Sequence, residues 1–408
     1  MPFLVRLKSI ERDLKLLWFA LLCLMYGFGV YSACFFNFAT EVLKIQPQQI
    51  GIVESIRETP GFLCVLVAAL SMQVAEPVVA SLAFVLMVIG MGAYAWIGSV
   101  HSLMLWSFVW SIGLHTWMPL QSSMVMNLAR EGQKGKRLGQ TACVGSVGAV
   151  SGMLTVMIFG GALTYPKWFL LGSAAMAIAA VAMFAVRRDI GHPDKPRFVW
   201  KRRYRLYYGL TFLEGCRKQV FFTFALYALT KVYHTHLRTI ALLMVVNGVV
   251  NIFGAPRVGR LIDRIGERKI LLVSYAALIL VFIGYAQIRH AHVLYILYCL
   301  DNLFYLSTTC LTTYLQKIAD PEDVMPSLSL GVTLNHTAAV SVPLIGGLLW
   351  ASLGYPVTFL GGAVVVAISL SLAARVPVHK CAPVSHSERS EESAFPASEE
   401  ADSSRCLE

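Results

Sequence analysis

Two short stretches share one spacing of charged residues: Glu54-x-x-Arg57-Glu58 and Glu214-x-x-Arg217-Lys218. On a helix, positions three and four apart share a face, so each stretch can close an acid–base pair within itself. Both lie inside long apolar runs, as does Asp301, and His115 and His336 add two more groups able to exchange protons. If these runs cross a bilayer, each charge costs roughly 2.5–3.5 kcal/mol near the centre. Pairing, a proton or a bound solute must offset that cost. The acids Glu54, Glu58, Glu214 and Asp301 outnumber the bases Arg57, Arg217 and Lys218 by one. An excess acid among apolar side chains is a group that a proton can visit during a transport cycle. These residues, with His115 and His336, are the candidate substrate and proton pathway. The bases favour a solute carrying carboxylate or phosphate; the acids equally admit a cation.

The elements that must position them are membrane helices. Hydrophobic residues make up 57% of the chain, charged residues 14%, and mean hydropathy is +0.64. A soluble domain carries about 25% charged residues, so an integral membrane protein is expected. Apolar runs near the roughly 20 residues a span requires recur at 14–39, 50–74, 78–97, 103–128, 138–163, 168–186, 204–232, 239–254, 270–288, 293–318, 327–350 and 357–374. They predict an all-α integral membrane protein of about twelve transmembrane helices, the first read as an uncleaved span. One long connection divides the chain, predicting a six-helix bundle over 1–186, a central loop over 187–203 and a second six-helix bundle over 204–375. The polar segment 376–408 cannot bury a core and is expected to be disordered.

Lys and Arg gather before the first run, around 130–137, in the central loop, at 257–269 and after the tenth run, with few in the alternate loops. By the positive-inside rule, both termini and the central loop face the cytoplasm in a cell (inner or plasma) membrane. The net charge of +11 is this asymmetry; anionic lipid headgroups account for it, and no nucleic-acid partner is expected. The nine cysteines form no C-x-x-C pair, and neither H-E-x-x-H nor a nucleotide-binding motif occurs. No metal site, cofactor or catalytic group is expected, and the chain is expected to act as a monomer.

The halves also resemble each other. "GVYSACFFNFA" from Gly29 aligns with "GCRKQVFFTFA" from Gly215, and "FGGAL" near Gly160 with "IGGLL" near Gly346. "KRLGQTACVGSVGAVS" and "PSLSLGVTLNHTAAVS" share a rhythm of small residues, and all three offsets are close to half the chain. Parallel repeats of six helices are a transporter architecture.

Between the eighth and ninth runs stands "GRLIDRIGERK", 259–269. Its G-x-x-x-D-R-x-G-x-R-K pattern closely resembles the cytoplasmic loop signature of the major facilitator superfamily. The resemblance implies two six-helix bundles rocking about a central site, and hence a secondary transporter of a small solute. It implies that Gly259 and Gly266 permit a tight turn and close helix approach. Asp263 would latch the cytoplasmic side, with Arg264, Arg268 and Lys269 at the basic positions. Glu267 stands where the family often has another base, and the first-half counterpart "SMQVAEPV" lacks both the G-x-x-x-D and any basic residue. In the resembled fold helices 3, 6, 9 and 12 face lipid, and those runs are free of interior charge here. Two other readings remain: a transport-inactive sensor or partner subunit, and a membrane-embedded enzyme. The enzyme would need clustered catalytic acids such as D-x-x-x-D, which the chain lacks.

Overall fold

The computed structural model describes residues 12–62, 74–129, 132–187 and 199–377. The tail expected to be disordered and most of the central loop lie outside the described residues. Every regular element among the described residues is helical. We number them α1 (Arg12–Asn37, continued by a π-helical turn Phe38–Val42), α2 (Pro47–Glu58), α3 (Glu76–Ala93), α4 (Val100–Leu128), α5 (Lys134–Phe159) and α6 (Tyr165–Phe184). The second half comprises α7 (Arg205–Lys231), α8 (Leu237–Ile265), α9 (Glu267–Gln287), α10 (Ala291–Tyr305), α11 (Thr309–Ile318), α12 (Pro321–Leu353) and α13 (Tyr355–Ala373). A short 3₁₀ turn, Leu306–Thr308, joins α10 to α11 as one rod.

Local sequence explains where the rods start. Pro47, Pro77, Pro166, Pro321 and Pro356 each stand in the first two positions of a helix, where the missing N–H is one that would find no partner in the helix anyway. α4 opens on a reciprocal cap between Ser99 and Ser102.

Nine helices among the described residues are long and apolar enough to cross a membrane, counting α1 with its π turn and α10 with α11 as single spans. The sequence predicted about twelve. Two of the three rods that fall short, α4 and α7, have the length, with 29 and 27 residues, but carry the polar groups of the candidate pathway. The third, α2, runs into residues outside the description.

The packing repeats. α1 lies against α5 and α6, α3 against α4 and α6, and α2 against α4. In the same way α7 lies against α12 and α13, α9 against α10 and α13, and α8 against α10. Two contacts of the same kind cross between halves: α2 on α12 and α8 on α5. The first is tight because it is built from small residues. A Cβ on Gly51 would stand 2.2 Å from the Pro343 carbonyl oxygen, and one on Gly347 2.7 Å from that of Pro47. At the end of the bundle opposite the basic loops, Asn37 donates to the Thr235 carbonyl (2.9 Å), and Tyr227 and Lys231 both donate to that of Ile45 (2.9 and 3.0 Å).

One expectation needs correction. The eighth run was predicted to end at 254, with the signature at 259–269 in a loop. α8 instead continues to Ile265, so Gly259, Asp263 and Arg264 are helical. Only Gly266 makes the turn, with φ of 81°, a conformation that glycine adopts without the steric penalty of a side chain. Arg268 and Lys269 already belong to α9. A run this basic is invisible to a hydropathy count but not to helix propensity, which Arg, Leu and Ile satisfy.

Candidate functional site

The second half holds a buried ionic triad. Arg217 of α7 donates through Nε to Glu214 Oε1 (3.1 Å) on its own helix and through Nη1 to Asp301 Oδ1 (2.9 Å) on α10. A second guanidinium nitrogen also pairs with Glu214. Arg217 and Asp301 are each 1% exposed. The guanidinium lies over the Tyr305 ring at 5.4 Å, and the Lys218 ammonium over Phe222 at 5.3 Å. Two carboxylates share one guanidinium here, and deleting one partner of a buried pair costs much more than at a surface, because a buried charge is left uncompensated.

Cavities flank the triad. One of about 250 Å³ reaches Asp301, with Asn247, Asn251 and Asn302 among its polar lining and Val150 of α5 opposite. Another of about 370 Å³ is lined by Glu214 and Lys218 together with Tyr207, Thr211 and Asn335. Asn251 and Asn302 exchange hydrogen bonds of 3.4 and 3.1 Å between α8 and α10. These asparagines hold helices together as well as facing the cavity. The 3₁₀ turn between α10 and α11 follows directly on Tyr305, a place where a helix can bend.

The first half gathers its charges around α2. Arg57 donates to Glu54 Oε1 (2.8 Å) and lies 3.5 Å from Glu58 Oε1. The other Glu58 oxygen, Oε2, lies 3.7 Å from Nε2 of His115 on α4 and 3.6 Å from Nδ1 of His336 on α12. The two imidazole rings are 5.0 Å apart and nearly perpendicular. Ser111 donates to the Arg57 carbonyl, and His115 Nδ1 lies 3.0 Å from the Ser111 carbonyl. Nothing in the sequence spacing brings His115 and His336 together. Their meeting requires α4 and α12 both to pack against α2.

All nine residues singled out as a candidate pathway thus fall into two clusters, one per half, and the first reaches across to the second half through His336. Both i,i+3 pairs read from the sequence are formed. The signature residues lie apart from both clusters. Asp263 and Arg264 are exposed on the last turn of α8, and a Cβ on Gly259 would meet nothing within 4 Å. The close helix approach expected at Gly259 is not made in this state.

Sequence reasoning missed several buried acids. Glu76, in the stretch "SMQVAEPV", is 1% exposed and accepts from Ser123 Oγ (2.5 Å) and Asn127 Nδ2 (3.3 Å) of α4. Glu267 is buried at the start of α9 and pairs with Lys317 Nζ of α11 at 2.6 Å. Both acids open a third helix and hold the far end of a fourth, a parallel that the repeat offset would have revealed. Asp323 of α12 is fully buried and receives the Tyr204 hydroxyl (2.9 Å) and the Lys201 ammonium. The hydrogen bond to Asp323 raises the Lys201 pKa. The lysine side of the pair is therefore charged at neutral pH, and its contribution is lost as pH climbs past the raised lysine value.

Comparison with known proteins decides the family. The sequence model of the Major Facilitator Superfamily matches residues 17–324 and, in a second match, 207–401. The chain belongs to the major facilitator superfamily. Among solved structures, a mutant of the nucleoside transporter NupG superposes with a TM-score of 0.73 at 14% identity, covering 88% of this chain and 98% of that one. A bacterial homologue of the human lysosomal transporter Spinster, inward-facing and unoccupied, gives 0.71 at 11% identity over 89% and 96%. A POT family transporter in complex with 5-aminolevulinic acid gives 0.72 at 15% identity over 91% and 99%. No curated protein matches the sequence. At these identities the likeness carries the fold of a multi-pass superfamily transporter, and the solute has to be argued from the site.

Proposed function

We propose that the protein is a secondary active transporter which moves a small anionic solute by alternating access, driven by protons exchanged at Glu214 and Asp301. The observation that carries this reading is Arg217 shared between two buried carboxylates in the wall between two cavities. The triad alone carries one surplus negative charge, which a proton neutralises. Lys218, lining the cavity next to Glu214, supplies a positive partner for a solute carboxylate or phosphate. A proton on the triad and an anion on Lys218 together leave the site neutral, so the loaded carrier can reorient at a lower electrostatic cost than the half-loaded one. The basic loops support a cytoplasmic placement of both termini, and the Glu54, Arg57, Glu58, His115 and His336 cluster forms the contact between rocking halves.

A thermal-shift screen of the purified protein against small organic anions at two pH values tests the binding half of this reading, because a ligand of the folded state stabilises it. Flux of the best ligand in vesicles then tests the coupling. Asp301→Asn should retain exchange at equal pH on both sides and lose accumulation driven by a pH gradient. Wild-type accumulation in both Asp301→Asn and Glu214→Gln would remove the triad from the proton path. A protein that binds and exchanges no solute would be the sensor.

A further inference from the structure

We propose that Glu58, His115 and His336 form a binding site for a divalent transition ion of the zinc class, held between α2 and α4 of one half and α12 of the other. One carboxylate oxygen and one nitrogen from each ring lie within 4.8 Å of one another. The His336 Nδ1 atom is buried and has no hydrogen-bond partner, while it points at Glu58 Oε2 from 3.6 Å. A buried nitrogen in that position has lost its hydration, and a cation between it and the carboxylate, a proton or a metal ion, restores a favourable contact.

The surroundings are those of a ligand set. His115 Nδ1 lies 2.9 Å from the Ser111 hydroxyl and 3.0 Å from the Ser111 carbonyl. Because that hydroxyl donates to the Arg57 carbonyl and a backbone carbonyl can only accept, both contacts are met with the ring proton on Nδ1, which turns the lone pair of Nε2 towards Glu58. That is how outer contacts orient metal-binding histidines. Arg57 stands against Glu58 Oε1, which leaves Oε2 for the ion. With Glu54 and Glu58 ionised against Arg57, the cluster carries one surplus negative charge and favours a cation. Two imidazoles and a carboxylate select a zinc-like ion over magnesium, which prefers oxygen. Zinc bonds of about 2.0–2.2 Å would draw the three groups slightly closer, by side-chain rotation. A fourth position remains for water. Because the ligands come from both halves, a bound ion favours the states in which α12 lies against α2 and α4.

The site stands apart from the Arg217 triad, and metal binding can be read without any solute. In the full chain carrying Cys143→Ser, which removes an exposed thiol, we expect Zn²⁺ to raise the unfolding temperature and Mg²⁺ to leave it unchanged. Co²⁺ should give the visible absorption of a four-coordinate nitrogen and oxygen site. His336→Gln and Glu58→Gln should each weaken zinc binding by at least about tenfold. Equal stabilisation of the parent and a His115→Gln, His336→Gln double variant would show adventitious surface metal only and overturn the proposal. So would the absence of any shift at about a hundredfold excess over protein, where a specific site is filled. Should the variants fail to fold, the cobalt spectrum of the parent decides alone: an octahedral, water-like spectrum overturns the site.

Discussion

The two halves share a packing scheme and differ in where they put their base. In the first half Arg57 sits on the second helix, its side chain 20% exposed, and its partner Glu58 faces two histidines, one of them from the other half. In the second half Arg217 sits on the first helix, 1% exposed, with both its acids supplied by its own half. A cluster closed within one half can travel with it as a rigid body. A cluster completed across the interface must break when the halves separate. The same scaffold therefore carries one ionic group suited to hold charge through the cycle and one suited to report the state of the interface.

Removing each base is the strongest way to test that difference. Arg217→Gln strands two buried carboxylates, and breaking a buried pair by deleting one partner costs about 3–5 kcal/mol. Arg57→Gln strands a buried Glu54, but the Arg57 side chain is itself 20% exposed, so a smaller loss of about 1–3 kcal/mol is expected. Unfolding of the purified variants measures both. Arg57→Gln should also stop flux while leaving a folded protein, because it unbalances the contact between halves. Equal destabilisation by the two substitutions would erase the distinction between a closed and a bridging cluster. Normal flux in Arg57→Gln would reduce the first cluster to structural support.

How much of this the sequence disclosed follows the range of the interactions. The internal pairs Glu54–Arg57 and Glu214–Arg217 are fixed by helical periodicity and are legible without a structure. The repeat and the signature at 259–269 led to the family for the same local reason. What stayed hidden needed contacts between helices: Glu58 of α2 between His115 of α4 and His336 of α12, or Asp301 completing the Arg217 pair from α10. The extent of α8 was misread because hydropathy reports burial in lipid, whereas α8 continues past its apolar run on basic residues.

A finer prediction concerns the signature. Asp263→Asn should impair transport with little loss of stability, since the side chain lies exposed at the end of α8. Labelling of cysteines introduced at the basic end would then shift towards one state. Unchanged labelling and flux would make 259–269 an ordinary basic helix end.

The smallest expected effect separates the halves once more. Glu76 and Glu267 occupy equivalent places, about half the chain apart, and each clamps the start of one helix to the end of another. Their partners differ. Glu76 accepts from the neutral Ser123 at Oε1 and from the neutral Asn127 at Oε2. An amide at position 76 can still accept from Asn127, while its NH2 donates to the Ser123 hydroxyl, which can equally act as an acceptor. Glu76→Gln should therefore change stability by less than about 0.5 kcal/mol, the ordinary range of a mild substitution. Glu267 instead meets the Lys317 ammonium, and Glu267→Gln exchanges a charge-assisted bond for a neutral one. Lys317 is 39% exposed, so solvent screens the pair and the loss should be about 1 kcal/mol or less. Salt sharpens the contrast: raising ionic strength should shrink the Glu267→Gln effect and leave the Glu76→Gln effect as it was. If both effects fall equally with salt, the first-half clamp is ionic too, and its partner lies among residues other than Ser123 and Asn127.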